Sequence, residues 1–169
     1  MADEPKKISA LDPYTEIAAG DYVPIVDISE AADADKTKRA LLSTLNVFVP
    51  LTTPLTSTSW NGDSFSTTAK TLIDLSAVFG VPDGVSAVLA YLYANDSGSA
   101  ASSCWVLLGP TSDDGVPVLF LNLSGVFNDV PNAENGIVPC DANGDIYYQI
   151  LASGVGTLDV NLQIWGYWL

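Results

Sequence analysis

The chain has 169 residues, 48% of them apolar, and this composition supports one compact domain with a short appendage. Twenty acidic residues against six basic ones give a formal net charge of −14, so the chain lacks the basic footprint of a nucleic-acid-binding protein. Histidine is absent, which excludes histidine-based triads and metal sites, and the composition favours a protein that is not an enzyme and holds no cofactor.

The N-terminal part, residues 1–46, is predicted to be an extended arm followed by a small docking motif. Residues 22–28 are apolar and β-branched, which favours a short strand, and Pro24 confines that strand to an edge or a bend. The following segment predicts a short helix that begins near Thr37 and carries a stripe of leucines, namely Leu41, Leu42 and Leu45. Because such a short helix is marginal alone, we expect the stripe to be buried against the main domain or another copy.

Residues 47–59 are predicted to be an extended connector, because two prolines and several threonines and serines disfavour a helix there. Residues 60–169 are predicted to carry the fold. Turn signals recur there at short intervals, and strand-length runs lie between them at 67–75, 85–94, 104–108, 116–123, 137–140, 146–152 and 158–168. In the last run Leu158, Val160, Leu162 and Ile164 alternate with polar residues, as on a half-buried strand.

These elements predict a mainly β protein. Its C-terminal domain, residues 60–169, is expected to be an antiparallel β-sandwich or jelly roll, preceded by the extended arm and the one short helix. The charge of this domain is uneven, because residues 71–169 hold ten acidic residues and no basic one, a charge of −10. We expect most of these carboxylates to be solvated in loops, and bound cations are the alternative.

Three oxygen-bearing side chains, Asp141, Asn143 and Asp145, alternate as at the start of a calcium-binding loop. An EF-hand would next need a glycine and, later, a glutamate, and Ile146 and Ala152 occupy those positions. A β-hairpin turn at 143–144 is therefore the main interpretation. A loop calcium site completed by distant acidic residues is the alternative.

The two cysteines, Cys104 and Cys140, are too few for a disulfide framework, so we expect buried free thiols, with a single disulfide as the alternative. No apolar run follows the first residues as in a secretory leader, and the uncharged stretches are too short to span a bilayer. The sequence thus predicts a protein made in the cytoplasm without membrane insertion.

Aromatic residues are concentrated in the C-terminal part. Neighbours on a strand face opposite sides, so Tyr147-Tyr148 and Tyr167-Trp168 must each present one ring outward or to another chain. Exposed rings beside carboxylates suit the stacking of sugars, and they equally suit a subunit interface.

The stretch of residues 21–45, DYVPIVDISEAADADKTKRALLSTL, resembles an element near the N-termini of tailed-bacteriophage virion proteins. The resemblance rests on a PIVD-type strand, a small polar spacer, and Thr37-Lys38-Arg39 before the leucines. It implies virion docking or trimerisation by Tyr22, Pro24, Ile25, Val26, Asp27, Leu41, Leu42 and Leu45. The segments FGVPDGVSAVLAYLYAND and NLQIWGYWL resemble the small β-sandwich knobs of phage fibres and capsid decoration proteins.

The resulting hypothesis is a short trimeric tail fibre in the virion, made in the host bacterial cytoplasm. Its partners would be itself, a baseplate, tail or major capsid protein, and a host surface glycan. Contact with the host surface is expected at Asp96, Asp113, Asp114, Asn132 and Tyr147. The alternatives are a capsid decoration protein that clamps capsomers and a stand-alone carbohydrate-binding module.

Overall fold

A computed structural model describes residues 22–26, 37–41, 46–57, 60, 69–113 and 117–169. The chain divides into two units, Met1–Leu45 and Asn46–Leu169. Among the described residues, no helix has the length and apolar character needed to cross a bilayer.

The described part of the first unit is an antiparallel pair of strands, β1 (Tyr22–Val26) and β2 (Thr37–Leu41). The first strand was predicted, but the helix expected from Thr37 onward is wrong for residues 37–41, which are a strand instead. A helix of about ten residues is marginal in isolation, and pairing with an apolar, β-branched neighbour satisfies the same backbone groups. Asp27, Leu42 and Leu45 lie outside the described residues.

The described residues of the second unit form eight strands and one short helix. In chain order these are β3 (Phe48–Leu55), β4 (Thr71–Ile73), α1 (Leu75–Phe79), β5 (Ala87–Asp96), β6 (Trp105–Gly109), β7 (Leu119–Asn122), β8 (Asn132–Pro139), β9 (Ile146–Leu151) and β10 (Leu158–Trp168). They form two four-stranded antiparallel sheets, of order β3-β10-β5-β8 and β4-β9-β6-β7. The prediction of a mainly β, antiparallel protein is confirmed.

Inward side chains of both sheets belong to one hydrophobic cluster. In β10 the predicted alternation holds, because Leu158, Val160, Leu162 and Ile164 are all buried. In β5 the buried side chains are those of Val88, Ala90, Leu92 and Ala94. Because neighbours on a strand face opposite sides, the bulkier residues between them point outward.

The segment expected to be a connector, residues 47–59, instead supplies strand β3 of the first sheet. The structure divides the chain after residue 45, so this strand belongs to the second unit. Pro50 and Pro54 are tolerated because β3 is an edge strand with β10 as its one neighbour in the sheet. The start of the segment is also tied to the unit, since Leu169 N–H donates to the Val47 carbonyl at 3.0 Å.

Within the strand predicted over 67–75, residues 71–73 form β4, and the short helix α1, which was not predicted, follows from Leu75. Asp74 caps it by accepting a hydrogen bond from Ala77 N–H at 2.9 Å, and Gly80 ends it in the left-handed region at φ 74°. The Asp145 carboxylate also accepts from Leu75 N–H at 3.0 Å. One turn of helix thus survives because side chains from two segments satisfy its first amide groups.

Candidate functional site

A β-bulge in β10 redirects the side chains at the end of the chain. Ile164 pairs with Ala90 and Gly166 pairs with Leu89, so Trp165 is an extra residue between consecutive positions of β5. Before the bulge the even-numbered residues point inward, and after it Tyr167 packs against the core. The bulge therefore places Trp165 and Trp168 on the outer side of the first sheet.

Gly166 allows a phenylalanine ring to lie directly on the backbone beside this bulge. A Cβ atom at Gly166 would come within 2.6 Å of the Phe48 ring and 2.9 Å of the Val49 carbonyl oxygen. The Phe48 ring also lies 4.3 Å from the Trp168 ring, measured between centroids. The absence of a side chain at residue 166 thus fixes where the aromatic rings of β3 and β10 meet.

The outer side of the first sheet forms a continuous surface that we call the aromatic face. It consists of large apolar side chains from all four strands, namely Phe48, Leu89, Tyr91, Ile137, Trp165 and Trp168. A groove of about 350 Å³ crosses it, lined by Phe48, Pro50, Leu89, Ala90, Tyr91, Asn135 and Trp165. Phe48 and Trp165 are each 37% exposed, so the rings are accessible to a partner.

The aromatic face carries no carboxylate and no ammonium group among its described residues. Counted along β10 from Trp168 back towards Leu158, the first charged side chain on the outer side is Asp159. It lies beyond Asn161 and accepts a hydrogen bond from Asn95. Glu134 of β8 pairs with the inward residue Leu92 and so belongs to the other side of the sheet. A chain with 20 acidic residues thus leaves one broad surface uncharged.

Amide side chains lie on or beside the aromatic face, among them Gln163 and Asn135. Gln163 is already engaged, since its Oε1 accepts from Trp165 Nε1 at 3.1 Å. Asn135 lines the groove opposite Tyr91 in the register. Ring faces and amides can bind a partner by contact and hydrogen bonding, and this arrangement supplies no pair of acid and base for chemistry.

Asp96 is not accessible to solvent, because it is fully buried at the end of β5. Its carboxylate accepts hydrogen bonds from Gly98 N–H at 2.7 Å, Ser153 N–H at 3.0 Å and the Thr157 hydroxyl at 3.0 Å, and from the Ser153 hydroxyl. Burial raises the pKa of Asp96, but these hydrogen bonds outweigh burial and hold the pKa below its usual range. The expected surface role of Asp96 is therefore wrong, and its role is to join loops.

Asp96 and its neighbour Ser99 connect three loops at one end of the second unit. The Asp96 carboxylate holds the β9–β10 loop, and its carbonyl accepts from Asp129 N–H of the β7–β8 loop at 3.1 Å. The Ser99 hydroxyl bonds the carbonyl of Val126 in that same loop at 2.9 Å. Buried polar groups that are fully paired in this way fix the geometry of the loops they join.

Two of the three oxygen side chains considered as calcium ligands, those of Asp141 and Asp145, accept hydrogen bonds from the protein's own backbone. Asp141 Oδ1 accepts from the N–H groups of Asn143 at 2.8 Å and Asp145 at 3.0 Å, which is a turn held by its own aspartate. Burial, with neighbouring carboxylates adding to it, raises the pKa of Asp145 above its usual range. Within the described part of the chain, no three His, Cys, Asp or Glu side chains form a group suited to a metal ion.

The remaining residues predicted for host contact do not form one site. Asn132 is exposed and donates to the Asn122 carbonyl at 3.2 Å, whereas Tyr147 is half-buried at the other end of the second sheet, opposite Gly109. Asp113 is exposed, and its carbonyl accepts from the buried Lys70 ammonium at 2.6 Å. Asp114 lies outside the described residues.

Both cysteines are free thiols, as expected. Burial raises the pKa of Cys140 to about 12, with the carboxylates of Asp141 and Asp145 adding to the effect, so the thiolate is scarce at neutral pH. The prediction for the adjacent aromatic pair is also confirmed at residues 147–148, since Tyr148 is buried while Tyr147 points outward.

Of the predicted docking residues, Tyr22, Pro24, Ile25, Val26 and Leu41 belong to the β1–β2 pair. Comparisons with protein-family models and with curated proteins find no match to this chain. The aromatic face was not predicted as a unit, because Phe48 lay in the expected connector and a bulge at Trp165 leaves no clear mark in the sequence.

Proposed function

We propose that the chain is a bacteriophage structural protein: a short, trimeric tail fibre that docks to the virion by residues 1–46 and meets the host surface with its β domain. The uncharged aromatic face is the observation that carries this proposal. It is a broad surface suited to contact with a partner and not an enclosed pocket suited to turnover.

The eight strands of the second unit fit a jelly roll, in which two packed sheets arise from one folded ribbon. Counted along the unit, the first strand pairs with the eighth, the second with the seventh, the third with the sixth and the fourth with the fifth. This pairing and the shared core support a β-sandwich of jelly-roll type. Jelly rolls recur in viral capsid and lectin domains, which agrees with the proposal but specifies no function by itself.

The carbohydrate-binding alternative has one observation in its favour. Tyr91, Trp165 and Asn135 line one groove, and sugars bind by stacking on rings and hydrogen bonding to amides. Asp113, Asn132 and Tyr147 remain proposed host contacts at the accessible loops and the outer side of the second sheet.

Quantitative mass spectrometry of purified virions tests the proposal. A tail fibre should be present at a few dozen copies or fewer for each particle, whereas hundreds of copies would indicate the capsid decoration alternative. Full-length protein added to host cells should reduce phage adsorption if the β domain contacts the host. Absence of the chain from virions that are otherwise complete would refute a structural role.

A further inference from the structure

We propose that the aromatic face packs against a second copy of this chain. This inference rests on the proposed function, in which the chain acts as an oligomer, and it identifies the surface that holds the copies together. Leu41, the first residue of the leucine stripe expected to do so, is the last residue of a strand and does not belong to a helix.

Charge is the first reason. Each copy carries a net charge of −14, so two copies repel each other wherever their acidic surfaces approach within about 8 Å, the screening length at physiological salt. The aromatic face is free of carboxylates from Trp168 to Asn161 along β10. Copies can therefore meet there without bringing acidic groups into a medium of low dielectric constant.

Composition is the second reason. The cores of protein interfaces are rich in aromatic residues and poor in charged ones, and the aromatic face has both properties. Ile137 is 53% exposed and Trp165 is 37% exposed, so each still has apolar surface to bury. Burying this apolar surface stabilises a contact, and the gain is reduced by the costs of association.

The lining of the groove argues against a sugar as the occupant. A bound sugar needs partners for several hydroxyl groups, and each buried hydroxyl without a partner costs free energy. The groove offers the Asn135 amide and the Tyr91 hydroxyl in an otherwise largely apolar lining, while Oε1 of the nearby Gln163 already accepts from Trp165. Apolar side chains of a second copy need no such partners, so they fit this lining better.

Sedimentation equilibrium of the full-length chain at micromolar concentration tests the proposal. We expect an oligomer for the wild type and a dissociation constant at least about tenfold higher for Ile137→Glu, which places a charge in the buried contact. Ile137→Lys should weaken association as well, although it lowers the net negative charge, because the cost comes from burying a charge and not from long-range repulsion.

Leu72→Glu is the matched control. Leu72 is 47% exposed on β4, an edge strand of the second sheet, as Ile137 is 53% exposed on β8, an edge strand of the first. The control should associate like the wild type, and near-ultraviolet circular dichroism should show that all variants are folded.

A wild type that stays monomeric would overturn the proposal, as would equal weakening by Leu72→Glu and Ile137→Glu. Binding of a neutral oligosaccharide that Ile137→Glu abolishes in a monomeric protein would assign the face to sugar instead. A wild-type oligomer that Ile137→Glu leaves intact would overturn this inference alone, whereas a monomeric wild type would also remove the trimer from the proposed function, whose place in the virion is tested separately by virion composition.

Discussion

Asp96→Asn replaces the buried carboxylate that joins the loops at one end of the β domain with a neutral side chain of nearly the same shape. One carboxylate oxygen accepts from Gly98 N–H and the Ser153 hydroxyl, and the other accepts from Ser153 N–H and the Thr157 hydroxyl. An asparagine must place its NH₂ group at one of these two positions, where at least one backbone N–H then faces another donor.

The expected loss of stability follows from these contacts. An unpaired buried N–H costs about 1–3 kcal/mol, and the remaining hydrogen bonds lose the strength that an ionised acceptor gives them. We therefore expect Asp96→Asn to lower the free energy of unfolding by about 2–4 kcal/mol at neutral pH.

Urea unfolding followed by tryptophan fluorescence measures this difference, with Asp159→Asn as the control. Asp159 is an exposed aspartate on the neighbouring strand, with one long hydrogen bond of 3.4 Å from Asn95, so its variant should stay within about 0.5 kcal/mol of the wild type. An Asp96→Asn protein as stable as the control would refute the structural role assigned to the carboxylate.

The pH dependence gives a second test of the same residue. The folded-state pKa of Asp96 lies below the value of about 3.9 that an aspartate has in an unfolded chain. Ionisation therefore stabilises the folded protein above pH ~4, and this contribution is lost as the pH falls through the folded-state pKa. The stability difference between wild type and Asp96→Asn should shrink over that acidic range, and a constant difference would contradict the assignment.

Three further outcomes are expected. Gly166→Ala should destabilise the protein by about 1–3 kcal/mol in thermal unfolding, because the new Cβ would overlap the Phe48 ring, and an unchanged melting temperature would contradict that packing. Tyr148→Ala should lower the free energy of unfolding by about 3–5 kcal/mol in urea, because the Tyr148 ring is buried. Trp105→Ala should lower it by less, because Trp105 is half-buried, and the reverse order would be inconsistent with these positions. Deleting residues 1–45 should leave the circular dichroism of the β domain intact and abolish incorporation into virions, and incorporation at the wild-type level would count against docking by that part.

The strands with strict alternation were predictable from the sequence. β10 is the clearest case, because Leu158, Val160, Leu162 and Ile164 point to one side and the residues between them are polar. A turn at 143–144 was also readable from the Asn-Gly pair, but the predicted β-hairpin is wrong, because this turn joins β8 and β9, which lie in different sheets. Such features depend on neighbours in the chain, and the local pattern contains the information.

Features that depend on distant partners were not predictable. Residues 37–41 have a local preference for helix, but an apolar strand at 22–26 pairs with them. Phe48 lies in a proline-containing segment that becomes an edge strand because β10 is available beside it. Asp96 reads as a turn residue at the end of an apolar run, and only the loop carrying Ser153 and Thr157 makes it a buried acceptor.

The position of Lys70 has a practical consequence. It is the only lysine or arginine after residue 45, and its ammonium group is buried and donates to the Asp113 carbonyl. Reagents that couple to amines should consequently modify this sequence at residues 1–45, where the other lysines lie. Dyes, beads or sensor surfaces attached in this way would leave the β domain chemically untouched, and every molecule would be tethered from the same side of the sequence.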